Sequence, residues 1–107
     1  MISKKPAASK RAPLPGAADY ARTFRKDWQR LPHSGRYDTK RLKEAMLLLI
    51  AGDAPLGPEW LDHPLKDDWA DHRECHIDGD FLLIYQLEGD KLNFVRAGSH
   101  ADLFGCA

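Results

Sequence analysis

The chain has 107 residues, of which 43% are hydrophobic and 30% charged, and its formal net charge is zero. That is the composition of one ordinary globular domain with a single modest core. The longest apolar run, Ala45 to Ala51, is far too short to span a bilayer, and two cysteines, Cys75 and Cys106, do not make the disulfide framework of a small secreted domain. The first residues lack the apolar core of a secretory signal, so a cytoplasmic protein with two free thiols is expected. The zero net charge hides a split, +9 over residues 1–43 and −9 over residues 44–107. A basic N-terminal half suits a polyanionic partner, although solvated Lys/Arg-rich helix surfaces give the same pattern.

Residues 1–16, with Pro6, Pro13, Pro15 and Gly16 among Lys, Arg, Ala and Ser, have the composition of a flexible tail, and residues 17–107 form the expected domain. Tyr20, Phe24, Trp28 and Leu31 recur at helical spacing, which predicts a helix over 20–31 stopped by Pro32-His33-Ser34-Gly35. Leu42, Ala45, Met46, Leu49 and Ile50 predict a second helix, capped by Asp38 or Thr39 and closed by Gly52. Pro55, Gly57, Pro58 and Pro64 mark a long loop, with Trp60, Leu61, Leu65 and Trp69 expected to pin it. Three strands follow. Arg73 to Asp78 alternates, with Arg73, Cys75 and Ile77 on one face and Glu74 and His76 on the other. Phe81 to Leu87 is a continuous apolar run, and Lys91 to Ala97 is expected to place Leu92, Phe94 and Arg96 on one face. Asp78-Gly79 and Glu88-Gly89-Asp90 supply the turns. Gly98-Ser99 leads into a helical turn, His100 to Phe104. The expected class is α+β, with two N-terminal helices on a small antiparallel meander.

His63 lies in the long loop, His76 near the end of the first strand, Asp80 at the start of the second, Arg96 near the end of the third and His100 just beyond it. In a meander these strand ends share one edge, and the loop can bring His63 there. Histidines, a carboxylate and a guanidinium suit metal-free phosphodiester cleavage: a base for the 2′-hydroxyl, an acid for the leaving oxygen and positive charge for the phosphorane. On residue types alone, scattered polar groups satisfied locally fit as well. A metal site is the sharper rival. His72 and His76, four residues apart on a strand, are about 13 Å apart in backbone position, too far for one ion. Glu74 with either histidine finds no second ligand pair elsewhere. No metal and no cofactor are therefore expected, and His33 and His72 are read as surface residues. The chain has no phosphate-binding glycine loop and no G-x-S-x-G elbow.

The succession Asp62-His63-Pro64-Leu65, Arg73-Glu74-Cys75-His76, Asp80-Phe81-Leu82-Leu83-Ile84-Tyr85 and Arg96-Ala97-Gly98-Ser99-His100-Ala101-Asp102-Leu103-Phe104-Gly105 resembles the YafQ branch of the RelE/ParE toxins. The similarity runs from about Tyr20 to Gly105. It implies a RelE-like fold and a toxin of a type II toxin–antitoxin pair that enters the ribosomal A site and cuts mRNA. Its partners would be a cognate antitoxin, often of ribbon-helix-helix type, with operator DNA reached only through that antitoxin, and the ribosome. The family's active positions fall on His63, His76, Asp80, Arg96, His100 and Phe104. By resemblance Arg96 holds the scissile phosphate, Phe104 stacks on a base, His100 is the acid, Asp80 or His63 the base, and His76 orients or stabilises charge.

Phe81 stands where some relatives carry tryptophan and is an RNA-contact candidate. The tail's prolines leave at most a short edge segment near Leu14 to Ala18. Docking onto ribosomal RNA would fall to Arg22, Arg25, Lys26, Arg30, Lys40, Arg41 and Lys43. Two alternatives remain on the same fold: a ParE-like gyrase-targeting toxin, which has no need of the histidine set, and a catalytically inactive homologue acting only in an antitoxin complex.

Overall fold

The computed structural model describes residues 17–34 and 37–105. The expected tail, Gly35 of the helix stop and Cys106 lie outside them, as do the side chains of His33 and Ser34. A two-residue strand β1 (Asp19–Tyr20) leads into helices α1 (Arg22–Ser34) and α2 (Thr39–Ile50). A long connection with 3-10 turns at Pro58–Trp60 and Asp67–Trp69 carries a second short strand, β2 (His63–Pro64). Strands β3 (Arg73–Asp78), β4 (Phe81–Glu88) and β5 (Lys91–Ser99) follow, and a last turn α3 (His100–Phe104) closes the fold. The sheet order is β1-β5-β4-β3-β2, with β1 parallel to β5 and the other pairs antiparallel.

The meander and both helices match the periodicities, and three details differ. Tyr20 is in β1, paired with Phe94, and α1 starts two residues later; its ring stacks on Phe94 at 5.5 Å, so it still joins the apolar face that the spacing assigned to it. The helix runs past Pro32, because a proline in the last turn gives up only one intrahelical hydrogen bond. Finally, β1 and β2 make the sheet five-stranded and mixed, where a three-stranded antiparallel meander is expected. Two-residue strands are too short to show alternation.

Asp38 caps α2 by accepting from the Arg41 amide at 3.0 Å, and Gly52 takes φ +95° just beyond the helix end. The helix-side core joins Phe24 and Leu31 of α1 and Leu42, Ala45, Met46 and Leu49 of α2 to Cys75, Ile77, Leu83, Tyr85, Phe94 and Ala97 of the sheet. Leu82 and Ile84 fill the opposite face under Leu103 of α3, with Leu65, Trp69, Val95 and Phe104 packed around them. Burial on both faces explains why β4 reads as an unbroken apolar run.

A bulge in β5 overturns the expected alternation there. Tyr85 pairs with Phe94, but the next pair is Ile84 with Arg96, so Val95 is the extra residue. Arg96 thus shares its register position with Ile84, on the face of Glu74 and His76, and not with Phe94. The outer edge of β5, beyond the short β1, is saturated by the chain entering α1. The Ala21 amide donates to Phe94 O at 2.9 Å, Thr23 Oγ1 donates to Val95 O at 2.7 Å, and Asp27 Oδ2 accepts from the Ala97 amide at 2.9 Å.

Of the expected loop anchors, Trp60 is buried and Leu65 and Trp69 are half-buried, but Leu61 is 59% exposed. The loop is held instead by Asp62, whose side chain is fully buried. It accepts from the Leu56 amide at 2.8 Å, from Arg73 Nε at 2.9 Å and from the Tyr85 hydroxyl. Burial and the Asp62 charge push the Tyr85 phenol well above its ordinary range. For Arg73, burial alone would lower the guanidinium, and the bond to Asp62 outweighs it, so the net direction is up. Asp62→Ala would strand these donors and is expected to cost about 3 kcal/mol, measured by urea denaturation. Because Asp62 directly precedes His63, amide exchange across 54–65 should quicken as well.

Candidate active site

Strand β2 exists to place one residue. His63 pairs with Glu74 across the β2–β3 ladder, and Glu74 and His76, two residues apart on β3, share a face. Glu74 is 5% exposed, and its Oε1 lies 3.2 Å from His63 Nε2 and 3.7 Å from His76 Nε2. The two imidazoles sit 5.9 Å apart, centroid to centroid. His63 Nδ1 lies 2.7 Å from Leu61 O. A carbonyl can only accept, so Nδ1 carries a proton, and the second nitrogen faces a carboxylate. Both ring nitrogens of His63 therefore face a partner, Leu61 O on one side and the Glu74 carboxylate on the other.

The second group lies at the end of β5. Ser99 and Asp102 form a capping box for α3, with Ser99 Oγ accepting from the Asp102 amide and Asp102 Oδ2 accepting from the Ser99 amide, both at 3.1 Å. Burial alone would raise the Asp102 carboxyl; the Ser99 hydrogen bonds, with Tyr37 and Arg30, outweigh it and hold the group below its usual range. Asp80, in the turn before β4, accepts from the His100 amide at 3.2 Å. The His100 ring lies 4.9 Å from Phe104, and Trp69 meets Phe104 edge-on at 5.7 Å and His72 edge-on at 5.1 Å. The cross-strand row His76–Leu82–Gly98 sets the start of α3 two strand spacings, about 10 Å, from the histidine pair.

Arg96 is the third component. Its Nε and Nη2 donate to Asp27 at 2.8 and 3.2 Å, while 23% of its side chain is exposed. Asp27, buried to 3% exposure, also accepts from Arg30 Nη2 at 3.0 Å, and Arg30 Nη1 lies 3.5 Å from Asp102.

The expected residues His63, His76, Asp80, Arg96, His100 and Phe104 therefore fall on one side of the sheet, with the histidine pair on β2 and β3, Arg96 on β5, and the Asp80–His100–Phe104 group around the start of α3. Phe81 does not: it is 2% exposed and packs at a tilt against Tyr37, 4.6 Å between ring centroids, in the helix-side core, so it offers RNA no surface. Arg22, Arg25, Lys26 and Lys40 are exposed and Lys43 half-buried, which keeps them as docking candidates. Arg30 is held by two carboxylates, and Arg41 stacks over Trp60 at 4.2 Å while donating to Ile77 O, so these two serve the fold as well. The residues not singled out as site groups are Glu74, Asp27 and Trp69. A carboxylate between histidines on an alternating strand was the visible signal for Glu74. Nothing local marks Asp27, whose partner lies 69 residues away.

Residues 17–105 match the family described as a bacterial toxin of type II toxin–antitoxin systems, YafQ. The chain belongs to that family. The "mRNA interferase toxin YafQ" of Escherichia coli BL21-DE3 is 40% identical over 87 residues, covering 81% of this chain and 94% of the relative. A crystal structure of that strain's YafQ superposes with a TM-score of 0.76 at 39% identity, over 82% of this chain and 97% of the other. YafQ in the E. coli DinJ–YafQ complex gives 0.74 at 40% identity, over 82% and 97%. A copper-bound mutant toxin from Helicobacter pylori gives 0.72 at 39% identity, over 81% and 97%.

The geometry of β2 and β3 bears on the expected absence of a metal. The exclusion of a His72–His76 pair rested on strand spacing. The loop nevertheless brings His63 to β3, and one ligand atom each from His63, Glu74 and His76 lie within 4.8 Å of one another. Ligands around a tetrahedral ion are on the order of 3.4 Å apart, so rotamer adjustments would close the set. The three residues fit a divalent ion, which would supply Lewis acidity toward a phosphate oxygen. Titration with zinc, followed calorimetrically, is expected to show one ion per chain and at least about tenfold weaker binding in Glu74→Ala.

Proposed function

We propose that this YafQ-family toxin is a ribosome-dependent endoribonuclease that cuts mRNA in the A site by metal-independent attack of the 2′-hydroxyl. The observation that carries the reading is the gathering of His63, Glu74, His76, Asp80, Arg96, His100 and Phe104 along one side of the sheet. The E. coli relative's name as an mRNA interferase supports it, and so does the poor fit of such a set to a surface that only binds gyrase.

In this mechanism Asp80 is the base. It is exposed and gives one carboxylate oxygen to the His100 amide, whereas both nitrogens of His63 are already engaged. His100, one residue past the cap of α3, protonates the leaving 5′-oxygen. His63 and His76, held by Glu74, contribute positive charge to the phosphorane. Arg96 grips the non-bridging oxygens. Phe104, supported edge-on by Trp69, offers a face for a nucleobase. The exposed cations of α1 and α2 dock on ribosomal RNA. A cognate antitoxin of the DinJ kind holds the toxin inactive in the cytoplasm and carries the pair to operator DNA. Among the described residues no helix is long and apolar enough to cross a membrane.

Primer extension on mRNA after induction is the deciding experiment. Wild type should give discrete new ends, and His100→Ala should lower their yield at least about 100-fold. Growth arrest by both proteins with intact mRNA would remove the nuclease reading and leave the gyrase one. EDTA, with magnesium restored for the ribosome, should leave the cleavage rate of purified toxin unchanged. Zinc at saturation of the His63–Glu74–His76 set should inhibit it, because the ion takes up the two imidazoles that the metal-independent mechanism uses; faster cleavage with zinc would instead assign the ion a Lewis-acid role there.

A further inference from the structure

We infer that Asp27 is the positioning residue of the cleavage site, fixing Arg96 directly and the α3 corner through Arg30 and Asp102. The inference rests on the nuclease reading above. A guanidinium has five N–H donors in a planar fork. Asp27 takes two of them, from Nε and Nη2. The Nη1 edge, with the second Nη2 hydrogen, is left in the geometry that matches two phosphate oxygens.

Asp27 is itself anchored. It is 3% exposed and also accepts from the Ala97 backbone amide, which ties the carboxylate to the strand that carries Arg96. An arginine anchored on one edge presents the other without searching rotamers, which is how preorganised charge acts on a transition state.

The same carboxylate reaches the second cluster. Arg30 bridges Asp27 at 3.0 Å and Asp102 at 3.5 Å, and Asp102 also accepts from Tyr37 at 3.1 Å and from the Ser99 amide. Ser99 caps the helix that bears His100 and Phe104. Gly98 lets these groups meet: a Cβ there would lie 3.0 Å from Asp102 Oδ2 and 3.3 Å from Arg30 Nη2.

The test is single-turnover cleavage of mRNA on purified ribosomes, with toxin titrated to saturation. Wild type must cleave; if it does not, the nuclease reading fails and not this one. Asp27→Asn keeps the shape and removes the charge. Its maximal rate should fall on the order of 100-fold, with half-saturation within about twofold, in protein that a melting curve shows still folded at the assay temperature. In an Arg96→Ala background the same change should cost little more. An unchanged rate in Asp27→Asn, or an equal loss with and without Arg96, would overturn the inference. Should Asp27→Asn fail to fold, Arg96→Lys decides: it keeps a charge but cannot span both Asp27 oxygens. A comparable loss of maximal rate supports the inference, and a wild-type rate overturns it.

Discussion

A strand edge cannot leave its amides and carbonyls bare inside a small protein, and the outer edge of β5 is where this chain meets that constraint. β1 covers only Asn93 and Phe94. The groups beyond are taken by the Ala21 amide, the Thr23 hydroxyl and the Asp27 carboxylate as the chain turns into α1. The demand at the edge thereby fixes where α1 lies and brings a carboxylate to Arg96. The apolar stripe of α1 follows, with Phe24 and Leu31 buried against the sheet. Backbone satisfaction, packing and the placement of Arg96 are one arrangement.

Three buried carboxylates carry the rest, each matched to donors from distant sequence. Asp62 ties the long loop to β3 and β4, Glu74 holds two imidazoles, and Asp27 joins two arginines. Burying such charges is favourable only when they are paired and hydrogen-bonded, and in each case the pairing restricts where neighbouring groups can go. Cys75, among them, is inert: burial raises its thiol far above the range where a thiolate forms. The chemistry of this surface belongs to nitrogen and oxygen groups.

The helices, the three main strands and the turn at His100 were legible because each buries a face with a regular period. Strand alternation also separated Glu74 and His76 from Cys75 and Ile77. Where a single residue broke the period, reading failed: the extra Val95 moved Arg96 to the opposite face from the one that alternation assigned. Phe81 misled for a related reason, since an aromatic at a strand start looks the same whether it faces a ligand or Tyr37. The family resemblance supplied the set of candidate site positions. It did not supply the carboxylates behind them, because an acidic residue on a helix reads as solvated until its partner in space is known.

The corner at Gly98 has a consequence for how this protein can drift in sequence. A methyl carbon there would lie 3.1 Å from the Asp102 Cβ and 3.0 Å from its Oδ2, so alanine fits only if Asp102 gives by a few tenths of an ångström. The residue that would have to yield is the one that closes the capping box of α3 and meets Arg30, so a change as small as one methyl group at a strand end is felt by a helix start and a guanidinium together.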